Sequence, residues 1–141
     1  MSPRDTGTGM VLEQMVIPSF QRGGYNYQTH INVGERPGGG QHIIDYVVSN
    51  QNCELILISM KWQQVGGTAE QKIPYEVICL VKALKNNGFK YRKAYLVLGG
   101  GGWKLRDFYV KGGLEEYLRD KDRVTIITLE SFIALANKGN L

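Results

Sequence analysis

Cysteine is scarce in this chain. Two residues, Cys53 and Cys79, in 141 are too few for a disulfide scaffold and carry no metal-ligand spacing. Zinc-finger, haem-attachment and thioredoxin chemistries are thereby excluded, and both thiols are expected to be reduced and buried. No apolar run approaches the roughly 20 residues of a membrane span, and the opening MSPRDTGTGM lacks a signal-peptide profile. A cytoplasmic protein without a membrane partner is expected. Charge of one sign is also lacking: 17 Lys and Arg face 13 Asp and Glu, a net +4 with a pI near 9.1, which leans only modestly toward an anionic partner. A phosphate-cradling P-loop is absent, because Gly99 to Gly102 is followed by Trp103-Lys104-Leu105-Arg106 and not by Lys-Ser/Thr. Ser59 lacks the G-x-S-x-G elbow of a serine nucleophile. Neither His30 nor His42 has a catalytic partner in view; strand alternation puts His42 on the face opposite Asp45.

What is present is one domain's worth of alternating patterns. Residues 1–8 are polar and read as a flexible N-terminal arm, leaving 9–141 as a single domain. Leu12, Met15 and Val16 recur at helical spacing, with Pro18 marking the helix end. Tyr25, Tyr27, Thr29, Ile31 and Val33 alternate as a strand. The turn Arg36-Pro37-Gly38-Gly39-Gly40 leads to a second strand over 41–48 and a nearly continuous apolar third over 54–62, as suits a sheet's centre. Thr68 and Gln71 have the form of a capping box before a helix ending near Asn86-Asn87-Gly88, in which Pro74 either starts the long run or kinks it. A strand over 91–98, a mobile glycine loop at 99–102, a short helix near 113–120, a strand at 123–127 and a helix over 129–137 complete the chain. The expected class is α/β (α+β): a helix, a three-strand meander, a helix and a strand around a mixed central sheet, then a C-terminal helix–strand–helix.

Polar residues inside apolar strands carry the chemistry. Asp45 interrupts QHIIDYVV, and Ser59 and Lys61 end ELILISMKW. Alternation places Leu55, Leu57, Ser59, Lys61 and Gln63 on one face. If the second and third strands pair as a hairpin, Asp45 comes beside them, and an acid and a lysine inside a hydrophobic sheet need an explanation because unpaired buried charge is costly.

This order of elements, with Asp45 followed by Ser59-Met60-Lys61, resembles the PD-(D/E)XK nuclease superfamily and its restriction-endonuclease-like core, from about Gly9 to Leu98. The resemblance implies that Asp45 binds a divalent metal, Mg²⁺ or Mn²⁺, that Lys61 positions the attacking water and offsets charge at phosphorus, and that Glu13, on the first helix, adds a carboxylate. Ser59 stands where the family usually has Asp or Glu, a poorer ligand for a hard cation; the backbone carbonyl of Met60 would help hold the metal. Gln63 joins the catalytic set as a supporting or substrate-touching group. Tyr27, Gln28, Arg36, Gln71, Lys72, Lys104 and Arg106, together with Trp103, are candidate DNA contacts. The implied activity is hydrolysis of double-stranded DNA by a metal-dependent, restriction-type, site-specific endodeoxyribonuclease. A homing or junction-repair nuclease, or an inactive DNA-binding module motivated by Ser59, are the alternatives. Cutting both strands implies a homodimer or higher homo-oligomer, with Phe132, Ile133, Leu135 and Ala136 offered as contacts.

Overall fold

A computed structural model of the chain describes residues 12–88 and 90–141; the arm expected over 1–8 lies outside them. Five strands form one sheet in sequence order: β1 (Asn26–Glu35), β2 (Gln41–Ser49), β3 (Leu55–Trp62), β4 (Tyr91–Gly99) and β5 (Val124–Thr128). The first two pairings are antiparallel and follow from short polar turns; in the second turn Asn50 Oδ1 accepts the N–H groups of Asn52 and Glu54, each at 3.0 Å. The β3–β4 and β4–β5 pairings are parallel and need crossovers. The first crossover is the long helix α2 (Ala69–Asn86); the second contains the short α3 (Arg106–Val110). Before the sheet, α1 opens as a π-helical turn, Leu12–Val16, and continues as an α-helix, Ile17–Arg22; after it, α4 (Leu129–Asn137) starts at Thr128, whose hydroxyl accepts the Ser131 N–H.

Helices cover both faces, which is why β3 and β4 are mostly apolar. In the front layer, Ile73, Val77, Leu80 and Leu84 of α2 pack on Leu57, Leu96 and Leu98. In the back layer, Val16 and Phe20 of α1 and Phe132 and Ala136 of α4 pack on Tyr46, Ile56, Ile58, Tyr95 and Val97.

Several local expectations are corrected. Pro18 does not end the first helix. It sits in the first turn of the α-helical segment, where its missing N–H costs little, and the helix closes at Gly23. The Thr68–Gln71 capping box does not form; Gln63 Oε1 instead accepts the Ala69 N–H at 3.1 Å. The helix expected over 113–120 is replaced by α3 and two short 3₁₀ turns, Gly113–Glu116 and Lys121–Arg123. The glycine loop is pinned: Gly100 has φ +88°, a Cβ on it would lie 2.4 Å from the Gln63 carbonyl oxygen, and one on Gly102 would lie 2.5 Å from the Val65 backbone. Trp103 is buried and donates to the Gly99 carbonyl at 2.8 Å, so its ring anchors the loop and is not presented on the surface as expected of a DNA contact. Cys79 is buried as expected, but Cys53 is exposed. Among the described residues no helix is long and apolar enough to cross a membrane.

Candidate active site

The site lies where the hairpin β1–β2 peels away from β3. The β2–β3 ladder ends at the pair Tyr46 and Ile58. Beyond that rung the Met60 N–H is taken by a side chain, Asp45 Oδ2, at 2.7 Å. In a strand the N–H and C=O of one residue point the same way, so the Met60 carbonyl also faces this gap.

The same place reverses the hairpin's faces. In β2, Tyr46 and Val48 belong to the back core, while Ile44 and Val47 both belong to the front, so strict alternation fails at Asp45. In β1 the Tyr27 ring meets Phe20 and Tyr46 at the back, whereas Ile31 and Val33 face front; between them His30 has φ +55°. The reversal corrects the expectation for His42. It is buried and within electrostatic reach of Arg36, Glu76 and Lys61, on the site's own side; burial, reinforced by the two cations and opposed by Glu76, lowers its pKa and so favours the neutral imidazole.

Ser59 and Lys61 project from β3 toward α2. Ser59 is buried; Lys61 reaches a residue that strand alternation never pointed to, Glu76 of α2, with its Nζ 3.4 Å from Glu76 Oε1. Arg36, just after β1, meets the same oxygen at 3.3 Å. Glu76 is thus a carboxylate with 9% side-chain exposure between two cations that are 33% and 28% exposed. Helical spacing puts it on the buried stripe of Ile73 and Leu80, and an acid at a stripe position is the signal that was there to be read. Arg36 Nη1 also lies 3.5 Å from Cys79 Sγ. Asp45 has no ion pair among the described residues. Burial raises its pKa; the Met60 N–H, Lys61 and His30 oppose that rise, and Glu76 adds to it.

The other candidate residues divide. Gln63 shares the face of Lys61, but its amide is engaged at both ends, donating to the Gly102 carbonyl at 2.7 Å and accepting from Ala69, so it holds the loops beside the site and is not free for substrate. The helix that carries Glu13 packs on the opposite face of the sheet; the Glu13 side chain lies outside the described residues. Tyr27 lies against the back core, away from Lys61, and Gln28 is exposed on edge strand β1. Gln71 and Lys72 at the start of α2, Lys104 on the loop before α3 and Arg106 at the first position of α3 are exposed at the sheet end where β3 and β4 finish. That loop is held to α2 by Glu70 Oε1, which accepts the Leu105 N–H at 2.6 Å.

Two carboxylates and a backbone carbonyl are hard oxygen donors of the kind Mg²⁺ takes while keeping waters and substrate phosphate as further ligands. A buried Asp45 without a paired cation fits that use. No cluster of three or more acidic, histidine or cysteine side chains suited to a metal occurs among the described residues; Asp45, Glu76 and the Met60 carbonyl are the donors the fold provides.

A mixed sheet splayed beside an acid and a lysine, with helices on both faces, is the architecture of a metal-type nuclease domain. The chain belongs to the PD-(D/E)XK nuclease superfamily, whose domain model matches residues 4–140. Among solved structures it is similar to a protein described as of unknown function, at 12% identity and TM-score 0.48, with 89% of this chain and 64% of that one covered. It is also similar to a repair endonuclease from Pyrococcus abyssi, at 13% identity and TM-score 0.43, with 91% of this chain and 46% of that one covered. The chain therefore spans less than two thirds of the length of either. No curated protein matches it.

Proposed function

We propose that this domain is a metal-dependent endodeoxyribonuclease that cuts double-stranded DNA, of restriction type and site-specific, working as a homodimer or higher homo-oligomer. The observation that carries the reading is Glu76. The position normally held by the second acid is Ser59, yet α2 supplies a buried carboxylate against Lys61. Asp45 and Glu76, with the Met60 carbonyl, would hold Mg²⁺ or Mn²⁺; the metal would polarise the phosphoryl oxygen and lower the pKa of a bound water. Lys61, one-third exposed at the cleft, orients the attacking water and offsets charge developing on the phosphate. His42 stays neutral beside it. Arg36, Gln71, Lys72, Lys104 and Arg106 meet the DNA backbone, and Gln28 the groove.

Plasmid DNA incubated with Mg²⁺ or Mn²⁺, and with EDTA as control, tests this. Discrete fragments are expected with metal and none without. Lys61→Ala and Glu76→Gln should each lower cleavage about a hundredfold or more, whereas Ser59→Ala should cut close to the wild-type rate. Intact DNA that shifts in mobility under every metal condition would support the other reading, an inactive nuclease fold retained for DNA binding. Full activity in Glu76→Gln would remove α2 from the site.

A further inference from the structure

Glu76 is already matched by two cations, with Lys61 and Arg36 both on its Oε1. Asp45 and Glu76, ionised as metal ligands would be, bring two negative charges against the two positive ones of Lys61 and Arg36. A divalent cation entering this set leaves an excess of two positive charges in a half-buried site, where charge is weakly screened. Two phosphate charges of a nucleic-acid backbone would cancel that excess. Metal and nucleic acid should therefore each make room for the other.

Arg36 is the group built to carry the exchange. Its backbone is fixed, since its carbonyl accepts from Lys82 Nζ at 3.4 Å, and Tyr75 Oη donates to the next carbonyl, that of Pro37, at 2.8 Å. The Arg36 N–H closes the turn on Gly40 at 2.8 Å. From this anchored base the guanidinium lies on Glu76 at a part-exposed position, a fork suited equally to a carboxylate and to a phosphate. Lys61 sits on the same carboxylate but comes from the central strand β3, and the site has a separate use for it.

We infer that Arg36 is a positioning residue that acts as the resident counter-ion of Glu76, competes with a divalent metal for that carboxylate, and on release binds a backbone phosphate, so that metal and nucleic acid bind with positive coupling through Arg36. The inference rests on Asp45 and Glu76 being the metal-binding carboxylates. Reciprocity requires each ligand to tighten the other by the same factor.

The test is Mn²⁺ binding to the full chain, read from free Mn²⁺ by electron paramagnetic resonance, alone and with a saturating phosphorothioate duplex, so that no turnover is needed. In the wild type the duplex should tighten Mn²⁺ about fivefold or more. Arg36→Gln should bind Mn²⁺ more tightly than wild type without duplex and lose most of the gain when duplex is added. Arg36→Lys, which keeps the charge and loses the fork, should match wild type without duplex and show a smaller gain. A wild-type chain whose Mn²⁺ affinity ignores the duplex overturns the inference whatever the variants do, as does an Arg36→Gln chain indistinguishable from wild type in both titrations. Glu76→Gln separates the two levels: retained Mn²⁺ affinity in that variant sinks the site reading itself, while lost affinity with unchanged Arg36→Gln behaviour sinks the coupling alone.

Discussion

Asp45 is kept at a cost to the fold. Burial raises its pKa, and the single N–H of Met60 does not reverse this. The folded state thus holds the Asp45 proton more tightly than the unfolded chain does. Linkage then fixes the sign: the stability this proton brings is present at acid pH, below the ordinary carboxyl range, and is lost as pH rises through the folded value. At neutral pH burial works against the charged side chain, a burden that the proposed site would explain by its need of a carboxylate there. Asp45→Asn keeps an oxygen to accept the Met60 N–H and removes the charge. The variant should unfold at a higher temperature than wild type at neutral pH, with the gap closing toward about pH 4, while Mn²⁺ binding is lost. Thermal melts across that range in metal-free buffer check it; a variant less stable than wild type at neutral pH would show that Asp45 is kept for the fold and not for the site.

The long helix that presents Glu76 contains its own repair. Pro74 cannot donate to the carbonyl four residues back, that of Glu70, in the middle of α2. Tyr109 of α3 fills the vacancy, its hydroxyl donating to the Glu70 carbonyl at 2.6 Å, and the Glu70 side chain holds the Leu105 N–H. A proline that reads as a helix breaker is in this way the point where the following loop docks. Tyr109→Phe should cost about 1–3 kcal/mol, the penalty of a buried carbonyl left unpaired. In a Pro74→Ala background, where residue 74 regains its N–H, the same change should cost less than half as much. Equal costs in both backgrounds, measured by denaturant unfolding, would break the connection.

These cases also mark what the sequence discloses. Period-two alternation holds in β3 because one ladder runs its whole length, so Ser59 and Lys61 were legible as neighbours on one face. The three-strand meander and the last helix were legible for the same reason: apolar period and turn residues agree. Alternation misleads in β2 because the hairpin turns over at His30 and Asp45, a backbone event with no side-chain signature, and His42 was assigned to the wrong face. Glu76 escaped because its partner lies on another element; only its place on a buried helical stripe could have marked it. Gln63 was legible as a site neighbour, but its engagement with Gly102 and Ala69 depends on a loop that folds back from β4.

In the proposed reading the centre made from Asp45, Lys61 and Glu76 would be assembled within one chain, and one chain would break one strand. Scission of both strands in one encounter needs two such centres, most simply related by a two-fold axis that matches the duplex. The contact offered by the sequence for that axis is already used: Phe132 and Ala136 are fully buried in the back core, and Ile133 and Leu135 pack against it. Among the apolar side chains still exposed, Tyr75 and Ile78 on α2 and Leu105 and Phe108 around α3 lie together on the front layer. A homodimer through this side is the expected active species. Its mark is dominance: a large excess of Lys61→Ala chain mixed with wild type should trap most active centres in mixed pairs, so supercoiled plasmid should accumulate as nicked circles while linear product disappears. If the chain acts alone, the inactive variant can only compete for DNA, slowing nicked and linear products in parallel. Sedimentation equilibrium of the same mixture gives the second readout, and a protein that is monomeric at micromolar concentration yet converts supercoiled plasmid directly to linear form would end the two-centre account.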